Sequence, residues 1–188
     1  MKRVEIRPLS PELIRDYLGF FDSITFEEHP HWADCYCYSF HFTGPSEEWQ
    51  REKNRSCAVS LIREGRMKGY LAYHEGVPVG WCNVNNRLNY QRLTKLYDLP
   101  DPGHPRICSM VCFLVHPGYR RQGMMQQMLD RIIRDYKALR YEYIEAYPGR
   151  GQLSAEDLYR GPLDFLLRNG FVPIREHEDH QVVRRELR

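Results

Sequence analysis

Residues 107–139, ICSMVCFLVHPGYRRQGMMQQMLDRIIRDYKAL, limit what this chain can fold into more than any other stretch. Ile107–Val115 is almost wholly apolar and is flanked by Pro105 and Pro117, which suits a strand buried on both faces of a sheet. From Met124 onward, Met124, Met125, Met128, Leu129, Ile132, Ile133 and Tyr136 recur at helical spacing, while Gln126, Gln127, Asp130, Arg131, Arg134 and Lys137 fill the other side. The pattern predicts a central strand, a turn, and a long helix lying on the sheet. The turn is basic and ends in Gly123, so the helix start presents unpaired backbone N–H groups and a positive dipole end to an anion. The sequence has neither the Gly-Lys-Ser/Thr ending of a nucleotide P-loop nor the three spaced glycines of a dinucleotide fingerprint.

With 188 residues, 42% of them hydrophobic and 13% aromatic, the chain suits one domain spanning residues 1–188 with a sizeable core. A net charge of +2 with both signs interspersed gives no case for nucleic acid or a membrane surface as a partner, so any cationic site is local. No apolar segment follows the basic start, and no run approaches the roughly 18 apolar residues of a spanning helix. The chain therefore reads as soluble and cytoplasmic. Its six cysteines, without a secretory signal, read as reduced thiols packed as small hydrophobes.

Val4, Ile6 and Pro8 predict a first strand. Ser10, Pro11 and Glu12 predict a capped helix running through Leu13, Ile14, Tyr17, Leu18 and Phe21. Residues 45–65 read as a helix that buries Trp49, Ala58, Leu61 and Ile62. Residues 70–73 and 77–84 read as a hairpin turned by His74, Glu75 and Gly76, with Asn83, Asn85 and Asn86 ending its second strand. A short helix is expected over 90–97 and a Pro- and Gly-rich loop over 99–105. After the long helix come a strand over 141–147, with Tyr143, Glu145 and Tyr147 on one face, and a Ser154/Asp157 capping box. A helix over 162–169 closed by Gly170 and a terminal hairpin over 172–175 and 181–187 complete the chain.

Residues 29–42, HPHWADCYCYSFHF, have the least ordinary composition: three histidines, two cysteines and five aromatics. His29, His31, Cys35, Cys37 and His41 are each chemically able to ligate zinc, which admits a metal-binding module as a remote reading. The Cys-x-Cys spacing is not that of a zinc knuckle, and no metal is expected.

The run VHPGYRRQGMM resembles the acyl-CoA signature of the GNAT N-acetyltransferase superfamily, Arg/Gln-x-x-Gly-x-Gly/Ala after a strand ending in Val-x-Pro-x-Tyr/Phe-Arg. The match falls on Val115, Pro117, Tyr119, Arg120, Gly123 and Met125, with Met125 standing where the family prefers a small residue. Gly170-Phe171 is a second similarity, and the element order agrees over most of the chain. The resemblance implies an α/β GNAT-like fold: a mixed, mostly antiparallel central sheet with helices on both faces. It implies acetyl-CoA as co-substrate, held by Phe113, Leu114, Val115, Arg120, Arg121, Gln122, Gly123, Met124 and Met125, with a backbone N–H near Leu114 facing the thioester carbonyl. It implies an aromatic acceptor pocket using Trp32, Tyr36, Tyr38 and His41, although these rings serve equally well as core.

The implied reaction is acetyl transfer to a primary amine of a small molecule, by direct attack, in a monomer or homodimer. Family members often carry Glu where this chain has Cys112, so the base role passes to Glu145, and Cys112 stands as an alternative nucleophile. The tyrosine often used as general acid is replaced by Leu166, leaving Tyr147 or Tyr159 for that role. That replacement keeps open a second reading, a non-catalytic acyl-CoA sensor.

Overall fold

A computed structural model gives the fold and describes residues 4–93, 99 and 106–188. Seven strands, β1 (Glu5–Pro8), β2 (Gly69–His74), β3 (Val77–Asn86), β4 (Ile107–Val115), β5 (Tyr143–Ala146), β6 (Val172–Glu176) and β7 (Gln181–Glu186), form one sheet. The order across it is β1-β2-β3-β4-β5-β7-β6. β4 and β5 pair parallel, and every other neighbouring pair is antiparallel. Among the described residues the α-helices are α1 (Ile14–Ser23), α2 (Arg51–Arg63), α3 (Met124–Ala138) and α4 (Leu163–Arg168). The sheet is mixed and mostly antiparallel, as the resemblance implies, and none of the described helices is long and apolar enough to cross a membrane.

The helices cover both faces. The α3 stripe read from sequence is the one that packs: Met124, Met128, Leu129, Ile132 and Tyr136 are buried with Cys82, Val84, Met110 and Phe113, and Leu166 of α4 joins them. Each such side chain contributes roughly 1.5–3 kcal/mol by leaving water. A Cβ at Gly80 would lie 2.8 Å from Met124 Sδ, so glycine there lets the start of α3 sit directly on β3. On the other face α1 and α2 bury Tyr17, Phe20, Phe21, Ala58, Leu61 and Ile62 against Leu71, Tyr73 and Trp81.

The centre of the sheet is irregular where it matters. Asn83 pairs with Cys112 but Val84 pairs with Met110, so Val111 is an extra residue bulged from β4. On its other side β4 pairs with β5 only as far as Met110 with Ala146. Beyond that point the two parallel strands diverge, and β4 from Val111 to Val115 has a strand neighbour on its β3 edge only.

Several local expectations are corrected. Ser10 makes no side-chain cap; Pro11–Leu13 form a 3-10 turn before α1 begins at Ile14. Residues 45–65 break into a 3-10 turn, Ser46–Glu48, and then α2. Asn86 ends β3 as expected and accepts the Leu88 N–H at 2.9 Å, but Asn83 and Asn85 are buried within the strand, satisfied by side-chain hydrogen bonds that sequence spacing cannot reveal. Ser154 and Asp157 do bond each other's backbone N–H, at 3.2 Å both ways, but the box opens only a 3-10 turn, Asp157–Arg160. The short helix expected over 90–97 and the loop over 99–105 fall mostly outside the described residues.

Glu145 and Tyr147, expected to be catalytic, sit instead in a sealed polar network. Glu145 is wholly buried between Arg87 Nη1 at 3.3 Å and Arg184 Nη2 at 2.7 Å. Tyr147 donates to Glu145 at 3.0 Å and shares a 2.7 Å bond with Ser109. Burial, then the Glu145 charge, pushes the Tyr147 phenol well up. These groups tie β4, β5 and β7 together where the sheet changes from parallel to antiparallel. Glu145→Ala breaks the buried ion pairs with Arg87 and Arg184 and is expected to cost about 3–5 kcal/mol of stability in urea unfolding. A loss under about 1 kcal/mol would contradict this account of the network.

Candidate functional site

The path from β4 to α3 builds one side of a groove. Pro117–Tyr119 make a 3-10 turn, Arg121 takes φ +59 and Gly123 φ +78, and α3 starts at Met124. The left-handed Gly123 lets the chain reverse into the helix with no side chain in the way. The N–H of Gln127 closes on Gly123 O at 3.3 Å, so the amides of Met124, Met125 and Gln126 have no intrahelical acceptor. Arg120 Nε is tied back to Val115 O at 3.2 Å, fixing the turn against the strand.

The second wall comes from residues 155–168. A groove of about 450 Å³ runs between Phe113, Leu114, Val115 and the Arg120–Gln126 turn on one side and Ala155, Leu158, Tyr159, Phe165 and Arg168 on the other. It contains Phe113, Leu114, Val115, Arg120, Arg121, Gly123, Met124 and Met125 of the expected set; Gln122 instead donates to Gly118 O at 3.0 Å.

Register decides which amides of β4 face this groove. His116 N bonds Val79 O at 2.9 Å, which makes that a hydrogen-bonded pair. By alternation Val115–Gly80 and Phe113–Cys82 are non-bonded pairs whose N–H groups point away from β3, toward the divergence. The donors on the open edge are therefore Phe113 and Val115, one residue either side of the expected Leu114.

A second cavity of about 240 Å³ lies deeper, lined by Phe21, Phe26, Trp32, Phe40, Trp49, Cys35, Cys37, Cys112 and Leu114, with His31 and Tyr159 also on its wall. It shares Phe26, Leu114 and Tyr159 with the groove, so the two spaces meet there. Trp32 stands at that meeting point, stacked on His29 at 4.0 Å and edge-on to Tyr159 at 5.1 Å. Of the other expected acceptor residues, Tyr36 is buried behind the cavity with its hydroxyl on Asp22, and Tyr38 lies parallel to Trp49. His41 packs near Tyr90, away from the cavity lining.

Glu156, which no sequence pattern marked, joins the two walls. Its buried carboxylate accepts the N–H groups of Glu27, Glu28 and His29, at 2.6, 3.2 and 3.1 Å, and Asp157 meets His29 Nε2 at 2.9 Å. Among the described residues the five candidate zinc ligands are not brought to a common point; the one cluster of that kind is Glu28, His29 and Glu156.

The cavity thiols differ in charge preference. Burial, then Cys37, pushes Cys35 up to about 11, and a hydrogen bond with Cys37 together with burial pushes Cys112 well above the thiol range. Burial also works against ionising Cys37, yet the polar hydrogens of Cys112, Trp81 and Asn83, with Asn83 Nδ2 at 3.2 Å, outweigh it and hold this thiol below its ordinary value. Sequence spacing could not reveal this, because the donors come from two other strands.

A family model described as the acetyltransferase (GNAT) family matches residues 25–165. No curated protein matches the sequence. Among solved structures, an N-acetyltransferase from Staphylococcus aureus Mu50 is 14% identical with a TM-score of 0.58, covering 100% of both chains. The paia N-acetyltransferase of Thermoplasma acidophilum, in complex with coenzyme A, is 14% identical with a TM-score of 0.58, over 98% of this chain and 99% of that one. The ribosomal-protein-S18-alanine N-acetyltransferase of Escherichia coli is 12% identical with a TM-score of 0.58, over 98% and 94%. At such identities the likeness is one of fold.

His41 offers a check on the packing beside the cavity. Neither ring nitrogen makes an ordinary hydrogen bond, and burial, with the Arg66 charge adding to it, pushes the imidazole down to about 4. The unfolded chain protonates this ring near pH 6.5, so the folded state loses stability as pH falls from about 6.5 toward 4. His41→Leu is expected to remove that component, giving a melting temperature that falls less than wild type over this range. Parallel pH profiles would mean that the ring is charged in the fold.

Proposed function

Because the chain belongs to the acetyltransferase (GNAT) family, we propose that it transfers an acetyl group from acetyl-CoA to a primary amine of a small molecule, by direct attack on the thioester. The whole chain acts as one catalytic unit. The observation that carries this reading is the continuity of groove and cavity at Phe26, Leu114 and Tyr159, which joins a place for a long thioester to a place for an acceptor.

In this reading the amides at Gly123, Met124 and Met125 bind the pyrophosphate, with Arg120, Arg121 and Arg168 lending positive charge. The pantetheine arm lies along the open edge of β4, taking the hydrogen bonds that β5 does not make. The Phe113 and Val115 amides face the arm and its thioester, and a donor aimed at the developing oxyanion is worth about 3 kcal/mol. The amine occupies the aromatic cavity, with Trp32 as a wall; Tyr36 packs on Phe21 and Tyr38 lies parallel to Trp49, two other residues of the lining. A volume of about 240 Å³ is the size of a small acceptor. Tyr159, at the junction, is positioned to assist the departing thiolate, which needs little help because its conjugate acid has a pKa of about 8.5, like free cysteine.

The test is release of free thiol from acetyl-CoA in the presence of a panel of small primary amines. Gly123→Glu, which puts a side chain and a negative charge at the left-handed start of α3, is expected to abolish the rise in melting temperature that CoA gives wild type. Undiminished stabilisation of that variant would remove the turn from the binding site.

A further inference from the structure

The cavity that would take the amine has no carboxylate among its described lining residues; its titratable groups are His31, Cys35, Cys37, Cys112 and Tyr159. Cys37 differs from the other thiols in its backbone and in its surroundings. Tyr36 and Cys37 are consecutive non-glycine residues at φ +42 and +52, a conformation that costs about 1–3 kcal/mol each and persists only where the surroundings impose it. Here Tyr17 donates to Tyr36 O and the Tyr36 hydroxyl is held by Asp22, which locks the pair in place.

The sulfur so presented faces donors. Asn83 Nδ2 lies 3.2 Å from Cys37 Sγ, and its orientation is fixed because the same nitrogen faces Cys37 O at 3.4 Å while Oδ1 accepts Tyr90 Oη at 2.7 Å. The indole N–H of Trp81 is buried and finds no acceptor of ordinary geometry. Cys112 lines the same cavity, and its thiol favours the Cys37 anion. A neutral thiol is a weak acceptor with little use for such donors, whereas a thiolate accepts readily. The groups facing Cys37 are Cys35 from its own loop, Tyr17 from α1, Cys82 from β3, Cys112 from β4 and Tyr90 beyond β3, and burial raises every one of them. Each of them therefore favours its neutral form, and Cys37 is the one thiol of the cavity whose surroundings favour the anion.

Building on the acetyltransferase reading above, we infer that Cys37 is the catalytic base, and that the acceptor is a small, largely apolar amine that enters as its ammonium ion. The ammonium gives one proton to the Cys37 thiolate, making a thiol and a neutral amine. The nitrogen lone pair forms the C–N bond to the thioester carbonyl carbon, and the oxyanion then collapses, breaking the C–S bond. The second nitrogen proton goes to the departing CoA thiolate, and the Cys37 thiol returns its proton to solvent.

The experiment pairs two readouts on wild type, Cys37→Ser and Cys112→Ala: thiolate absorbance near 240 nm against pH, and kcat/KM against pH with small arylalkyl primary amines. Wild type should show a thiolate step below the ordinary thiol range, coincident with the acid limb of kcat/KM. Cys37→Ser should lose that step and about 10²–10⁴ in kcat, while CoA still raises its melting temperature. Cys112→Ala, one donor fewer, should move the step and the acid limb upward together. The inference fails if no step depends on Cys37, if Cys37→Ser keeps its rate and pH profile, or if acetyl-CoA alone acetylates Cys37. Failure of CoA to stabilise wild type would instead strike at the acetyltransferase reading, with the absorbance step still deciding whether Cys37 is a thiolate.

Discussion

A parallel strand pair that comes apart in the middle of a sheet is the constraint on which the rest of this molecule turns. β4 and β5 stay bonded through Met110 and Ala146 and then diverge, leaving the Phe113 and Val115 amides on an open edge inside the protein. Buried backbone donors without partners cost free energy. A sheet therefore tolerates such an opening only when something else lines it or supplies the bonds. The Val111 bulge redirects β4 at the point where the pairing stops, and residues 155–159 line the gap without zipping it shut. An extended, polar arm such as pantetheine matches an edge of this kind.

Two anchors hold the opening at a fixed width. Below it, Glu145 draws Arg87, Arg184 and Tyr147 into one buried network that ties β5 to β4 and β7. Above it, Glu156 gathers three consecutive amides of the loop after α1, and the Trp32 and Tyr159 rings meet across the same boundary. The acceptor wall and the groove wall are thus bonded directly to each other. A change in one side of the site is transmitted to the other through buried hydrogen bonds, which are expensive to break.

The two buried carboxylates, Glu145 and Glu156, carry architecture. An apolar cavity makes an isolated carboxylate costly. In the inference drawn for Cys37, a thiolate accepting from Asn83 needs no neighbouring cation and would leave the cavity open to an apolar amine.

The sequence by itself determined the strand, turn and helix at residues 107–139 and the covered faces of the sheet, because those follow from local periodicity and from glycine at the helix start. It also marked one wall of the groove, since the residues of that wall are contiguous along β4 and the turn. Only the tertiary structure decided what Glu145, Tyr147, Asn83, Glu156 and Cys37 do. Each takes its character from partners up to 129 residues away, as in Glu156 with Glu27, and from the register of neighbouring strands. A carboxylate between two tyrosines reads as a surface base until strand order puts two arginines on it. An asparagine reads as a turn residue until the opposite loop brings a sulfur to its amide. Spacing along a chain encodes which face a residue takes, whereas ionisation and hydrogen bonding depend on what the fold brings to that face.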